Sequence, residues 1–264
     1  KPQAYEVWVL GGFHAGGVFW YAPFAWLVKT PIPTMLLMAV GVLAALRGRG
    51  AGAGAPPAGA AAWRDLRDFV LLPAAVYAVA VAALSANLGV RYLIPTTAFL
   101  LVAAGGAAGP VLATRGRRLL AAAFGAWLVL SVGRQAPEFI AYFNESIGSS
   151  ANAPYVLNDS NLDWGQDLKR LARWQEAHAV PTLILSYWGA AQPEYYGVRW
   201  RELTGDEARA DRPPPGVYAF SVNRLIDMKK SVVLHGEDPR VDWLARFTPS
   251  ERVGASIYIY RFDR

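Results

Sequence analysis

Cysteine is absent from the 264 residues, which excludes disulfides, thiolate metal sites and cysteine nucleophiles. Histidine is scarce. His14, His178 and His235 stand far apart with no ligand spacing, and read as solvated or helix-end side chains, His14 being the one to watch for its place near an aromatic turn. No Gly-rich phosphate loop, Ser/His/Asp set or close pair of carboxylates stands out in a membrane-facing loop. Charge itself is thin up to about residue 135, where Ala, Leu, Val and Gly dominate. Beyond that point charges and turn residues return at ordinary globular density. The chain opens Lys-Pro-Gln, with no initiator Met and no signal-peptide pattern, and reads as the C-terminal part of something longer.

What is present divides the chain in two. The net charge of +6 could suit nucleic acid. The arginines of the first half, however, cluster in loops between apolar runs: Arg47, Arg49, Arg64 and Arg67 in one, Arg115, Arg117 and Arg118 in another. That is the topology signature of a membrane protein, so the partner expected is lipid and no nucleic acid.

Four crossings are expected. Val18–Leu27 has the aromatic composition of a membrane interface, Pro33 suits a first helical turn, and an apolar run continues to Leu46. Asp68–Ala86, Tyr92–Leu112 and Leu119–Gly133 follow, with Gly105, Gly106 and Gly109 suited to close helix packing. The Gly-Ala-Pro stretch between Arg47 and Arg67 reads as a linker. With the basic loops inside, residues 1–30, Asn87–Arg91 and everything after Gly133 lie outside.

After Pro137 the pattern predicts strands at Tyr155–Asn158, Thr182–Trp188, Val217–Val222 and Arg252–Phe262, the last with Val253, Ala255, Ile257 and Ile259 on one face. Helices are predicted over Asp163–His178, with Asp163 and Gln166 as a capping box, and over Val241–Phe247. Residues 1–17 read as a loop. The fold class expected is therefore a membrane all-α bundle of about four transmembrane helices over residues 1–135, then a small soluble α/β domain over 136–264.

Three local patterns carry chemistry or its imitation. Asp159 to Asp167 alternates oxygen ligands like a calcium loop, but Trp164 stands where that loop needs glycine and no closing glutamate follows, so no metal is assigned. Asn144-Glu145-Ser146 matches a glycosylation sequon, a frequent chance match. Arg91, between two apolar runs, must lie at the membrane edge or face a polar cavity. There it can anchor the chain by snorkelling beside Tyr92, or bind a phosphate at headgroup depth.

Several stretches together resemble one family. Phe19-Trp-Tyr21-Ala-Pro-Phe-Ala-Trp-Leu-Val-Lys29-Thr-Pro31 and Asn87-Leu-Gly-Val-Arg91-Tyr92-Leu-Ile-Pro95 are similar to motifs of bacterial lipid-carrier-dependent membrane glycosyltransferases of glycosyltransferase family 39. These are relatives of the protein O-mannosyltransferases and the lipid A aminoarabinose transferase. Tyr142-Phe-Asn-Glu145 with Asp159-Ser-Asn-Leu-Asp163-Trp-Gly-Gln-Asp167 looks like the start of the extracytoplasmic tail of one bacterial branch.

The resemblance implies a multi-span inverting transferase of the bacterial plasma membrane. It would take a sugar from a polyprenyl-phosphate carrier and deliver it to an acceptor outside the cytoplasm. Family members hold their catalytic acidic residues, and any divalent metal, in a first external loop that no stretch here matches. Catalytic residues are therefore expected upstream of Lys1, and no cofactor is assigned to this stretch. On the donor side the resemblance implies that Lys29 and Arg91 bind the carrier phosphate, with Tyr21, Tyr92 and His14 about the headgroup or sugar. The runner-up is a non-enzymatic polytopic protein that anchors an extracytoplasmic binding domain.

Overall fold

The computed structural model describes residues 6–46, 64–84, 87, 89–106, 108 and 112–263. The linker expected between Arg47 and Arg67 lies mostly outside them, as do Gly109 and the ends of the second and third expected spans. The chain forms two compact units. Among the described residues, one holds Glu6, Val7 and those of 14–152; the other holds those of 8–13 and 153–263.

The first unit is helical. α1 (Tyr21–Lys29) stops at Thr30-Pro31, and α2 (Ile32–Leu46) leaves at 114° with Pro33 in its first turn. Proline supplies no N–H to continue a helix and pushes the residue before it to extended backbone, which puts the bend here. α3 (Leu72–Leu84) is entered through a π-helical turn over Arg67–Leu71, the helical stretch as a whole running Arg64–Ala83. A 3-10 turn, Val90–Leu93, leads into α4 (Ile94–Gly106), and α5 (Arg115–Gly133) starts earlier than expected, on the Thr114 cap.

Two helices, Arg64–Ala83 and Arg115–Gly133, are long and apolar enough to cross a membrane. A third counts if the bent α1–α2 pair is one span. α4 packs on both α2 and α3. The closest approach is at Gly41, where a Cβ would stand 2.4 Å from the Ala103 carbonyl oxygen. The small residues allow that contact.

The second unit is an α/β layer structure around a mixed five-stranded sheet, whose elements have residues enough for their own core. A hairpin, β1 (Val7–Val9) and β2 (Gly12–His14), of which Trp8–Phe13 belong to this unit, turns at Leu10 and Gly11, both with positive φ. This corrects the loop expected over residues 1–17. α6 (Ala153–Val156) is a helical turn where a strand was expected; Leu157 bridges to Val9, and Tyr155 O and Val156 O accept from Gly11 N and Leu10 N.

α7 (Leu168–Ala177) precedes β3 (Leu183–Ser186), β4 (Trp200–Glu202), α8 (Gly205–Arg209) and β5 (Gly216–Ser221). α9 (Val222–His235), α10 (Trp243–Arg246), β6 (Glu251–Val253) and β7 (Ile257–Phe262) complete it. The sheet order is β4-β3-β5-β7-β6, with β4, β3 and β5 parallel and β7 antiparallel to both of its neighbours.

Period-two alternation sorts the sheet's faces. Leu183, Leu185, Ala219, Ile257 and Ile259 meet Leu168 and Leu171 of α7. Tyr218, Phe220 and Tyr260 meet Trp243 of α10, its ring centroid 4.6 Å from that of Phe220.

Two helix and strand expectations change here. The single strand over Arg252–Phe262 is a hairpin: Val253 pairs with Ile257, and Ala255 lies in the turn between them. The helix expected from Asp163 begins at Leu168. Asp163 instead accepts from the Gly165 amide at 2.8 Å, while the Gln166 carboxamide accepts from Trp164 N at 2.7 Å and donates to Leu162 O at 3.1 Å. Those bonds close a turn and cap nothing.

Candidate functional site

The residues of the expected donor site fall at two ends of α1. Tyr21 and Lys29 are about 12 Å apart along its axis, at 1.5 Å per residue. At the N-terminal end, Tyr21 is buried, 1 % exposed. The Val90–Leu93 turn packs on α1, with Leu93 against Ala22 and Tyr92 against the same cluster. Asn87, buried, accepts from Val18 N at 2.7 Å and pins the loop there. Arg91 is exposed, its guanidinium 5.3 Å from the centre of the Tyr92 ring. His14 meets Trp20 edge-on at 6.1 Å. The structure thus gathers Tyr21, Arg91 and Tyr92 around one end of α1 and holds His14 on Trp20, near the start of that helix.

Lys29 is at the other end. Its ammonium donates to Ile140 O at 2.7 Å and lies 4.4 Å from the Phe143 ring centre. Beside it Asn144, 2 % exposed, donates through Nδ2 to Leu27 O at 2.6 Å and Thr30 O at 2.7 Å. Its own amide donates to Val28 O at 2.9 Å. Asn144 therefore satisfies the carbonyls that α1 leaves open where it bends into α2. The amide nitrogen of the sequon is committed to these bonds, so the match is a structural one. Sequence reasoning missed this clamp because its partners lie 114 and 117 residues away.

The Asp159–Asp167 stretch is a buried polar hub of the α/β unit. Asp167 Oδ2 accepts from Ala255 N, Ser256 N and Ser256 Oγ at 2.9–3.0 Å, and Oδ1 accepts from Arg170 at 2.7 Å. The turn it holds contains Gly254, with φ +62 and space for a Cβ only 2.3 Å from the Asp167 carboxyl carbon. Asp163 is fully buried, and its Oδ2 has no hydrogen-bond partner. Burial pushes its carboxyl up to about 7, the nearby Asp167 charge pushes the same way, and the Gly165 amide with the Ser256 and Ser221 hydroxyls opposes. The Tyr187 hydroxyl donates to Gly165 O at 3.3 Å and is wedged between Gly165 and Gly189, where a Cβ would come within 1.8 and 2.1 Å of it. Among the described residues no three His, Asp or Glu side chains group as a metal site.

A cleft of about 310 Å³ opens beside this hub, at the C-terminal ends of β3 and β4. It adjoins the point where the chain leaves β3 toward β4 on one side and β5 toward β7 on the other, the usual place for a crevice in an open sheet. Its walls include Glu202, Arg209, Arg224 and Glu237, and its floor Leu185 and Met228. None of these four charges stood out in the sequence, since each belongs to a different element or connection. No family model, curated protein or solved structure matches the chain.

Proposed function

We propose that this chain is part of a membrane glycosyltransferase that uses a polyprenyl-phosphate-linked sugar, with Arg91 as the cation that holds the carrier phosphate. The observation that carries this is the position of Arg91: exposed, set on Tyr92, in a short turn that leads straight into the apolar helix α4. A guanidinium at the mouth of an apolar helix cluster suits a phosphate at headgroup depth and can pair with it through two N–H bonds. As the sugar leaves, charge grows on that phosphate, and a fixed cation favours the transition state. Tyr92 orients the guanidinium. Lys29 is tied to Ile140 and Phe143 and acts first in holding the α1–α2 bend.

In this account the bent α1–α2 pair, α3, α4 and α5 each cross the membrane. Arg64, Arg67, Arg115, Arg117 and Arg118 face the cytoplasm, and the α/β unit lies outside. The acceptor-side chemistry and the catalytic acid come from outside the described residues.

The test is photolabelling of the full chain in lipid nanodiscs with a photoactivatable polyprenyl phosphate. Arg91→Ala should cut labelling about tenfold or more, the loss of a charge-assisted hydrogen bond. Equal labelling of the variant, or normal sugar transfer by it, removes Arg91 from the site. A second account, an anchored binding module without transfer, draws on the cleft in the α/β unit. It gains if the unsubstituted chain takes no label while that cleft binds a ligand.

A further inference from the structure

The cleft of the α/β unit presents both signs of charge, Asp227 lying near Arg224 and Asp238 near Arg209 without a close ion pair. Arg224 reaches Ser186 Oγ through Nε at 3.4 Å, and Arg209 reaches Gly205 O at 3.3 Å. Neither arginine has an ion pair among the described residues, and the carboxylates of Glu202 and Glu237 accept no hydrogen bond there. All four are exposed, so solvent or a ligand completes them.

The mixture of signs narrows the ligand to a neutral or a zwitterionic one. An anion is drawn to the arginines and repelled by the glutamates, and a cation meets the reverse. A neutral hydroxyl group satisfies both, because it donates to a carboxylate and accepts from a guanidinium. The lining also includes Met228, Tyr187 and Trp200, the two aromatics packing as well against the core under α7. The two rings are fixed before any ligand arrives. Trp200 donates through its indole N–H to Glu194 at 2.7 Å, and the Tyr187 hydroxyl is held between Gly165 and Gly189. Fixed aromatic surface beside paired donors and acceptors suits a molecule with a C–H face and a rim of hydroxyls. A volume of about 310 Å³ limits it to a small one.

We infer that this cleft binds a neutral saccharide of one or two rings, with Glu202, Glu237, Arg209 and Arg224 engaging its hydroxyls. The site is separate from the donor-phosphate site proposed for Arg91, and its occupancy requires no transfer reaction.

The experiment uses the full chain in nanodiscs free of glycoside detergent, with ¹⁵N-labelled tryptophan. Maltose and cellobiose are titrated against glucose 6-phosphate and glycine as anionic and zwitterionic controls, following the Trp200 indole signal identified by Trp200→Phe. The expected result is saturable movement of that signal by a neutral saccharide and not by the controls. Glu202→Gln and Arg224→Ala should each weaken binding about tenfold, as for loss of one charge-assisted hydrogen bond. Both residues are exposed, so the spectrum of the free variant reports that the unit is folded. Failure of both saccharides to bind, preference for either control, or affinity unchanged in both variants overturns the inference. Carrier photolabelling of Glu202→Gln should stay at the unsubstituted level, so failure here and failure of the Arg91 assignment are told apart.

Discussion

The two units solve opposite solvation problems with the same alphabet. In the helical unit the large apolar side chains face outward: Phe69, Leu72, Val76, Val79, Leu119 and Val129 are all at least 60 % exposed. Where its helices meet it buries small residues, such as Ala22, Ala25, Ala45, Ala74 and Ala103, beside a few large ones, Tyr21, Met38 and Leu93. The α/β unit reverses this. It buries Trp243, Tyr218, Phe220 and Tyr260, and puts its arginines and glutamates on the surface. Helices that meet through small residues and expose large ones suit a surrounding as apolar as leucine, where close backbone contact rather than hydrophobic burial holds them together. A core of interlocked aromatics suits water outside. A disruption should therefore act through different physics in each unit.

The largest effect is expected in the polar hub of the α/β unit. Asp167→Ala strips partners from two backbone amides, the Ser256 hydroxyl and Arg170 at once. That should cost about 3–5 kcal/mol, as for a broken buried charge network. Hydrogen exchange read separately on peptides of each unit should show lost protection across residues 153–263 and little change in α2–α4; uniform loss in both would dissolve the distinction drawn above.

Next in size is a pH effect. Asp163 carries a proton up to about pH 7 in the folded unit, whereas an unfolded aspartate loses it near 4. Between those values the folded state binds more protons, so stability falls as pH rises from about 4 to about 7 and levels off above. The drop is at most about 4 kcal/mol, at ~1.4 kcal/mol per pH unit. Asp163→Asn, measured by unfolding at a series of pH values, should flatten that slope. A slope that persists would assign it to another group.

The helical counterpart is Gly41→Ala. Its new Cβ would press on the Ala103 carbonyl, which is backbone and cannot swing aside. About 1–3 kcal/mol of overpacking should appear, as faster exchange in α2 and α4 with the α/β sheet unaffected. The smallest effect is expected for Trp26→Phe. It removes the 2.8 Å bond from the indole N–H to Thr97 Oγ1 and keeps most of the ring, at about 1 kcal/mol by thermal unfolding in nanodiscs. An effect equal to that of Gly41→Ala would mean that polar contacts matter in this unit as much as close approach.

Legibility in the sequence followed the range of each signal. Apolar runs announced α2, α3, α4 and α5, and alternation announced β3 and β5, because hydropathy and side-chain period are set by neighbours along the chain. The long helix α9 escaped notice. It follows β5 without a break, and its N-cap Ser221 makes no side-chain capping bond, its hydroxyl accepting instead from Trp188 N at 3.0 Å. The β6–β7 hairpin looked like one strand because Val253, Ala255, Ile257 and Ile259 keep step through the turn at Gly254. Asp163 carried every local mark of a helix cap, yet its carboxylate went to Gly165. For the site, Arg91 and Tyr92 were visible as a basic and aromatic pair between apolar runs. The cleft was not, since Glu202, Arg224 and Glu237 share no motif.

By itself the sequence determined that the chain has an apolar helical part and a separate α/β part, roughly where the apolar helices run, and that α1 must break at Thr30-Pro31. These depend on hydropathy, on side-chain period and on the missing N–H of proline, all properties of adjacent residues. Only the tertiary structure decided that Lys29 and Asn144 close the bend, that Asp167 holds the Gly254 turn, and that charges of both signs meet around one cleft. Each depends on groups tens to more than a hundred residues apart, brought together by burial that no local pattern records.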